Sequence, residues 1–510
     1  MRCGRLPSRH GGGAARAVRA GGAGVRAPQL QGPGVLNRRF VRRAPGAALE
    51  AVPEGASPTA PVARGARMGG GLLASSRLVP LFVCLLICCQ LALLVEAIAP
   101  LRVAVRVLAF GVSLLLLALV RGRSLKHPAL PFILAALGIT ALQLFNPGTG
   151  APLAALAQLG IQLAIAAPLL WVTRLAIDPK TFRRTLALLF FFNTASAGVG
   201  VLQVYFPGRF QPALSAAVQG QGEGYVSSLK FETSDGVRVF RPMGLTDIPG
   251  GASTGGFYAV LLGGGFLLSS RRGLTRVLSV GGILVGLFGI YLSQVRATAV
   301  MLVVCLVALA AVLLVSGRVG RFLALLAVMG TAGVATFGWA VAVGGDAVMS
   351  RWSTLFAASP DEVYHRNRGY FLTGTFADVL PEYPLGAGLG RYGMTNAYFG
   401  DNSDRERPPL WAEIQWTAWV YDGGILGVLF YPLGVLMSLL WAFQVARSRD
   451  GPQDEFWLWG SVLFAYNLGA FALTFSYPFF MSQTGMEFWL LNAALFGALA
   501  HAKTVHPHRR

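Results

Sequence analysis

The residues of this sequence best placed to do chemistry stand beside its apolar runs rather than inside them. Arg241 opens Arg241-Pro242-Met243-Gly244, Arg296 lies in Ser293-Gln294-Val295-Arg296-Ala297, and Arg366 and Arg368 fall two apart in a stretch whose aromatics have helical spacing. A guanidinium keeps its charge and fits phosphate oxygens two at a time. Such a set on one side of a membrane suits a diphosphate-bearing lipid. Taken singly, each arginine could instead snorkel to lipid head groups or pair with a nearby acid. Glu413, in Trp411-Ala412-Glu413-Ile414-Gln415-Trp416, is a carboxylate at the edge of an apolar run. There it could take a proton from a hydroxyl, or serve as the partner of an arginine. Glu487, in Gly485-Met486-Glu487-Phe488-Trp489, is a second acid near a helix end, expected to touch substrate, to pair with an arginine, or to be simply interfacial. Tyr392, Trp411 and Trp416 could stack on sugar faces, or form an interfacial aromatic belt. Arg391 and Gly388 complete the candidate binding set. Gly388 belongs to the turn Gly386/Gly388/Gly390, which follows no strand and so reads as a place of close backbone approach, not a nucleotide loop. The sequence has no HExxH, no paired-aspartate motif and no Cys/His metal spacing, so neither metal nor cofactor is expected. The cysteines Cys84, Cys88, Cys89 and Cys305 lie in apolar runs and read as small core residues.

The elements that must position these residues are membrane helices. Of 510 residues, 54% are hydrophobic and 13% charged, against about 25% charged in a soluble domain. Mean hydropathy is +0.57. Composition therefore excludes a soluble enzyme and points to an all-α, polytopic helical bundle. A span needs about 20 apolar residues, and twelve stretches read as spans: 78–99, 101–120, 129–145, 151–173, 185–206, 251–270, 274–292, 297–316, 320–344, 423–446, 456–475 and 485–502. Basic residues follow every even-numbered span: Arg121, Arg123 and Lys126; Arg174, Lys180, Arg183 and Arg184; Arg271, Arg272 and Arg276; Arg318 and Arg321; Arg447 and Arg449. This places those turns and both termini in the cytoplasm, and the two long loops, 207–250 and 345–422, outside. Within the first, Leu229 to Arg241 alternates around Ser234-Asp235-Gly236, a hairpin pattern. Within the second, 362–380 reads as an amphipathic surface helix closed by Pro381 and Pro384. The chain thus divides into a basic segment 1–67, spans in 68–206, the loop 207–250, central spans in 251–344, the large loop 345–422, and final spans in 423–510. The net charge is +21, and residues 1–67 supply about half of it, with twelve arginines against Glu50 and Glu54. That Gly-, Ala- and Pro-rich segment cannot bury a core. It reads as a disordered tail, a start placed upstream of Met68, or an arm for anionic lipid.

Four segments together resemble the O-antigen ligase and O-antigen polymerase superfamily of bacterial envelope glycosyltransferases. Arg241-Pro-Met-Gly with Asp247-Ile-Pro249 is similar to that family's Arg-x-x-Gly … Asn-Pro segment. Ser293 to Ala297 is similar to its Ser-x-x-Arg-Gly/Ala helix end. Arg368 precedes Pro384-Leu-Gly386-Ala-Gly388-Leu-Gly390, which is similar to its glycine turn, and Gly424-Ile-Leu-Gly427 is similar to its Gly-x-x-Gly. The family's ligases carry His-Asn where this chain has Glu413-Ile414, and Asp422 stands where a glutamate is usual. The resemblance implies an inner-membrane, multi-pass glycosyltransferase that polymerises undecaprenyl-diphosphate-linked repeat units at the periplasmic face. On that reading Arg241, Arg296 and Arg368 hold the diphosphate. The role of base for Glu413 is inferred from its position alone. Expected partners are the lipid-linked glycan donor, a glycan acceptor, membrane lipid and a chain-length regulator, with no nucleic acid. The alternatives are ligation of the glycan to lipid A core, and transport of the lipid-linked unit.

Overall fold

A computed structural model describes residues 72–122, 124–214, 222–401, 408–448 and 454–505. The basic segment 1–67, Arg123 and Arg449 of the charge count, and most of the charged loop after Asp401 lie outside these residues.

The architecture is helical, as composition requires. Helices α1 (Leu78–Ala92), α2 (Arg102–Leu119), α3 (Leu130–Leu142), α4 (Pro152–Ala166) and α5 (Pro179–Tyr205) come first. An outer hairpin follows. Next are α6 (Ala252–Ser269), α7 (Gly273–Ser293), α8 (Arg296–Val315) and α9 (Val319–Ser353). A second outer layer leads to α10 (Gln415–Arg447), α11 (Asp454–Leu473) and α12 (Gln483–Val505). Among the described residues, nine helices are long and apolar enough to cross a membrane. The twelve expected spans thus become nine by that measure. α1 and α3 are apolar but short, and α12 is long but carries Glu487, His501 and Lys503.

Burial is arranged as in a bilayer protein. Leu274, Val307 and Val334 are exposed on helix flanks, whereas Trp171, Trp459, Trp489 and Phe488 fill the interior. With lipid outside, helices gain from close backbone packing. α6 and α7 achieve it through Gly256 and Gly286, each of which faces the other's carbonyl so closely that a Cβ has no room.

Two helices differ from the sequence reading in an informative way. The expected spans ended at 344 and began at 423, where Gly344-Gly345-Asp346 and Asp422-Gly423-Gly424 lower the hydropathy. The helical path does not stop there. It breaks at Gly345 (φ 54°, ψ −145°) and at Gly424 (φ 58°, ψ −140°) and then resumes. At Gly424 a Cβ would run into the Pro384 carbonyl, which accepts a hydrogen bond from Ile425 N at 2.9 Å. The turns beyond these breaks, 346–353 and 415–423, lie at the end of the bundle expected to face outside.

That outer end carries the hairpin and a bent helical stretch. Strands β1 (Lys230–Glu232) and β2 (Arg238–Phe240) pair antiparallel with Phe231 opposite Val239, as the alternation predicted. Both central side chains are buried. Ser234 N and Oγ each donate to Val343 O at 3.0 Å, which docks the hairpin on α9 beside its break. The expected helix at 362–380 is present as a run from Pro360 to Glu382, bent by two wide π turns at His365–Gly369 and Thr375–Val379.

Candidate functional site

Below this outer layer lies a cavity of about 1910 Å³. Its upper wall holds Arg241, Arg296, Arg351 and Arg368, and its lower wall is apolar, with Leu86, Phe110, Val303 and Leu306 among its residues. Each arginine arrives by a different element. The hairpin delivers Arg241: its backbone N donates to Leu229 O at 2.9 Å and its Nη2 to Ser228 O at 3.3 Å. Burial, and then the nearness of Arg351 and Arg296, push the Arg241 guanidinium below its ordinary range. The tight turn between α7 and α8 delivers Arg296. Gln294 adopts φ 54°, the only non-glycine residue with positive φ among those described, and α8 begins two residues later. Arg296 donates to Thr354 Oγ1 at 2.8 Å and to Asn367 Oδ1 at 2.7 Å. The turns of α9 beyond Gly345 deliver Arg351. Nε of Arg241, Nε of Arg351 and Nε2 of Gln294 are buried with no hydrogen-bond partner. Among the described residues, no carboxylate pairs with Arg241, Arg296 or Arg351. Three like charges held together without a counter-ion destabilise a structure unless an anion joins them.

Arg368 also lines the cavity, but it is neutralised. Its guanidinium pairs with the Glu413 carboxylate, and its other flank lies over the Phe371 ring; burial lowers its pKa. Glu413 accepts a further bond from Trp411 Nε1 at 3.0 Å. It is not on the cavity wall. Of the two roles the sequence offered for Glu413, the structure gives it that of an arginine's partner, and the cavity wall holds other acids.

Two acids do line the cavity. Asp247 is bound by Arg106 of α2 at 2.5 Å. Glu487 has no cation on it: Oε2 accepts from Tyr258 OH at 2.9 Å and Oε1 from Gln483 Nε2 at 3.2 Å. Tyr258 OH lies 2.9 Å from Tyr466 OH, and both tyrosines face the same cavity. Glu487 thus lies on the cavity wall and on none of the arginines.

The remaining candidates are placed elsewhere. Arg366 pairs with Glu362 one turn earlier on the exposed face of the bent helix. Arg391 is buried and donates to Pro408 O at 3.1 Å, tying down the outer loop. Tyr392 packs with Ala387, Ala418 and Tyr421 in a small separate core, where burial and then Asp422 raise its pKa well above the ordinary value. Trp416 packs among Trp419, Phe376, Phe471 and Phe475, while Trp411 is exposed. The turn with Gly388 is a clamp, as close approach implied. Leu389 O accepts from Gly150 N at 2.8 Å, and Gly390 N donates to Gln158 Oε1 at 2.7 Å. Gln158 and Gln162 in turn donate to the two Asp422 oxygens at 2.5 and 2.9 Å. Asp422 thereby anchors this turn to α4.

Sequence reasoning missed Arg351, Arg106 and the tyrosine pair. Arg351 follows a hydropathy minimum at 344–346, and only the helical spacing beyond it could have kept it in one element with α9. The chain matches no protein-family model, and no curated protein matches it. The site must therefore speak through its chemistry. A dense, uncompensated guanidinium cluster above an apolar trough fits an amphiphile with a doubly charged phosphate head.

Proposed function

We propose that this chain is a membrane glycosyltransferase of the O-antigen polymerase and ligase kind, acting on an undecaprenyl-diphosphate-linked glycan at the outer face of a bacterial inner membrane. The carrying observation is the convergence of Arg241, Arg296 and Arg351 from separate elements, with no acid among them, on one cavity that turns apolar beneath them. The basic short connections favour an orientation with this end outside, and α1, α3 and α12 complete the twelve crossings.

In this reading the guanidinium groups bind the donor diphosphate and stabilise the charge that grows as it leaves. An acceptor hydroxyl attacks the anomeric carbon. The new glycosidic C–O bond forms as the bond to phosphate oxygen breaks, and that electron pair departs with the undecaprenyl diphosphate. The hydroxyl proton passes to a carboxylate on the cavity wall. Glu487 fits that role, because Asp247 is bound to Arg106 and Glu413 to Arg368. Glu413 and Arg106 act as positioning residues. The glycosyl-diphosphate bond supplies the driving force, so the step consumes no nucleotide. The absence of the ligases' His-Asn favours polymerisation over ligation.

The test is single turnover in proteoliposomes supplied with lipid-linked repeat units. Wild-type protein lengthens the glycan. Glu487→Gln still binds donor but turns over on the order of 100-fold more slowly or worse. Failure of wild-type protein to lengthen any lipid-linked glycan overturns the function. An active Glu487→Gln protein overturns the choice of base alone.

A further inference from the structure

At the opposite end of α6 from the arginine cavity there is a second, smaller cavity. It encloses about 390 Å³ and is lined by Ser269, Ser270, Arg271, Arg276 and Arg321, with Leu267, Leu268, Ala324 and Val328 beneath. α6 has 18 residues, so its two ends stand about 27 Å apart along the helix axis, roughly the thickness of a bilayer core. Nothing in the proposed glycosyl transfer uses this place.

Three features define its chemistry. First, its charge is of one sign: no Asp or Glu is among its lining residues. Second, the cationic groups are held in place. Arg276 Nε donates to Ser270 O at 3.0 Å, and Arg321 lies over the Trp457 ring with its Cζ 4.9 Å from the centroid. Nη1 of Arg321 is nevertheless buried without a hydrogen-bond partner, a state that is costly when nothing binds. Third, the helices that flank it carry lipid-facing side chains: Leu274 and Val277 on α7 and Leu323 and Leu326 on α9 are exposed. A soluble anion has no use for such surroundings, but a phospholipid matches both halves.

We propose that this cavity binds the phosphate head group of an anionic phospholipid, with Arg321, Arg276 and Arg271 on the phosphate oxygens and the acyl chains along α7 and α9. Basic pockets between membrane helices recognise such head groups. The bound lipid ties the start of α9 to the end of α6. The far ends of the same two helices flank Arg351 and Arg241.

The experiment uses the full-length protein in nanodiscs. Thermal unfolding and the lipid retained after purification are compared in phosphatidylglycerol and in phosphatidylcholine, for wild-type protein, for Arg321→Gln/Arg276→Gln, and for Arg447→Gln. Arg447 is basic and lies over the Phe443 ring at the end of α10, outside the cavity, so its variant controls for general surface charge. Wild-type and Arg447→Gln proteins melt higher in phosphatidylglycerol. The double variant loses that difference and retains the lipid about 25-fold less well, about fivefold for each arginine. Retention by the double variant equal to wild type overturns the proposal, as does an equal loss in Arg447→Gln. Inorganic phosphate added to protein in phosphatidylcholine leaves the melting temperature unchanged; a rise matching that of phosphatidylglycerol would also refute the lipid assignment.

Discussion

Arg351→Gln separates a binding cation from a structural one, because its two expected effects have opposite signs. Arg351 has no acid partner, its Nε is unsatisfied, and it pushes against Arg241. Without ligand, removing the charge relieves repulsion in a partly buried cluster. Unfolding free energy should rise by about 1 kcal/mol or less, given the screening near an open cavity. With ligand, the same change deletes charge-assisted hydrogen bonds to a diphosphate, each contributing about 1.5–3 kcal/mol. That corresponds to a 10- to 150-fold weaker dissociation constant. Thermal unfolding of the detergent-solubilised variant measures the first effect. Titration with undecaprenyl diphosphate, read through the quenching of neighbouring Trp352, measures the second. A variant that melts lower than wild type and binds the diphosphate equally well would show Arg351 to be a structural residue, and the electrostatic reading of the cavity would fail.

Other substitutions probe the frame around the site. Gly424→Ala puts a Cβ against the Pro384 carbonyl at a backbone conformation reserved for glycine. It should destabilise by about 3 kcal/mol, whereas Gly138→Ala on α3, which faces open space, should be neutral or slightly stabilising in the same unfolding assay. Glu413→Gln removes the carboxylate that positions Arg368 without removing a cavity group, so the donor KM should rise while kcat holds; a fall in kcat alone would favour Glu413 as the base. His127 is buried between Trp441 and Phe496 with only Ala129 N on its Nδ1 at 3.2 Å, and burial pushes its pKa down to about 3. The unfolded chain binds a proton there near pH 6.5 and the folded chain does not. Stability is full above that pH and falls by about 1.4 kcal/mol per unit as the pH drops towards 3. A His127→Phe protein should lose this component of the pH dependence of melting.

The parts of this molecule that were legible in its sequence are those governed by local rules. Hydropathy located the helices, and alternation around Ser234-Asp235-Gly236 located the hairpin to the residue. Spacing around Gly388 foretold a close backbone approach. Arg241 and Arg296 each sit where an apolar run meets a polar turn, and both line the cavity, as does Arg368 from the surface stretch. What hydropathy could not show is a helix that breaks and resumes. At Gly345 and Gly424 polarity changes while the helical path continues, so by hydropathy Arg351 and the turns from Gln415 fall in loops. Pairing was equally hidden. Nothing in Trp411 to Trp416 says that Arg368, 45 residues earlier, takes the Glu413 carboxylate. Tyr392 and Arg391 were read as site residues because aromatic and basic types mark sites, but long-range packing put them in a core of their own.

The most direct test of the central claim is donor binding and glycan growth in one preparation. Purified protein is reconstituted with an undecaprenyl-diphosphate-linked repeat unit, and the lipid-linked products are separated by length. The cavity described above predicts a ladder of lengthened glycan with release of undecaprenyl diphosphate. It also predicts that Arg241→Gln and Arg296→Gln abolish both donor binding and the ladder. Translocation of the lipid-linked unit without lengthening, or a full ladder from the arginine variants, would contradict it.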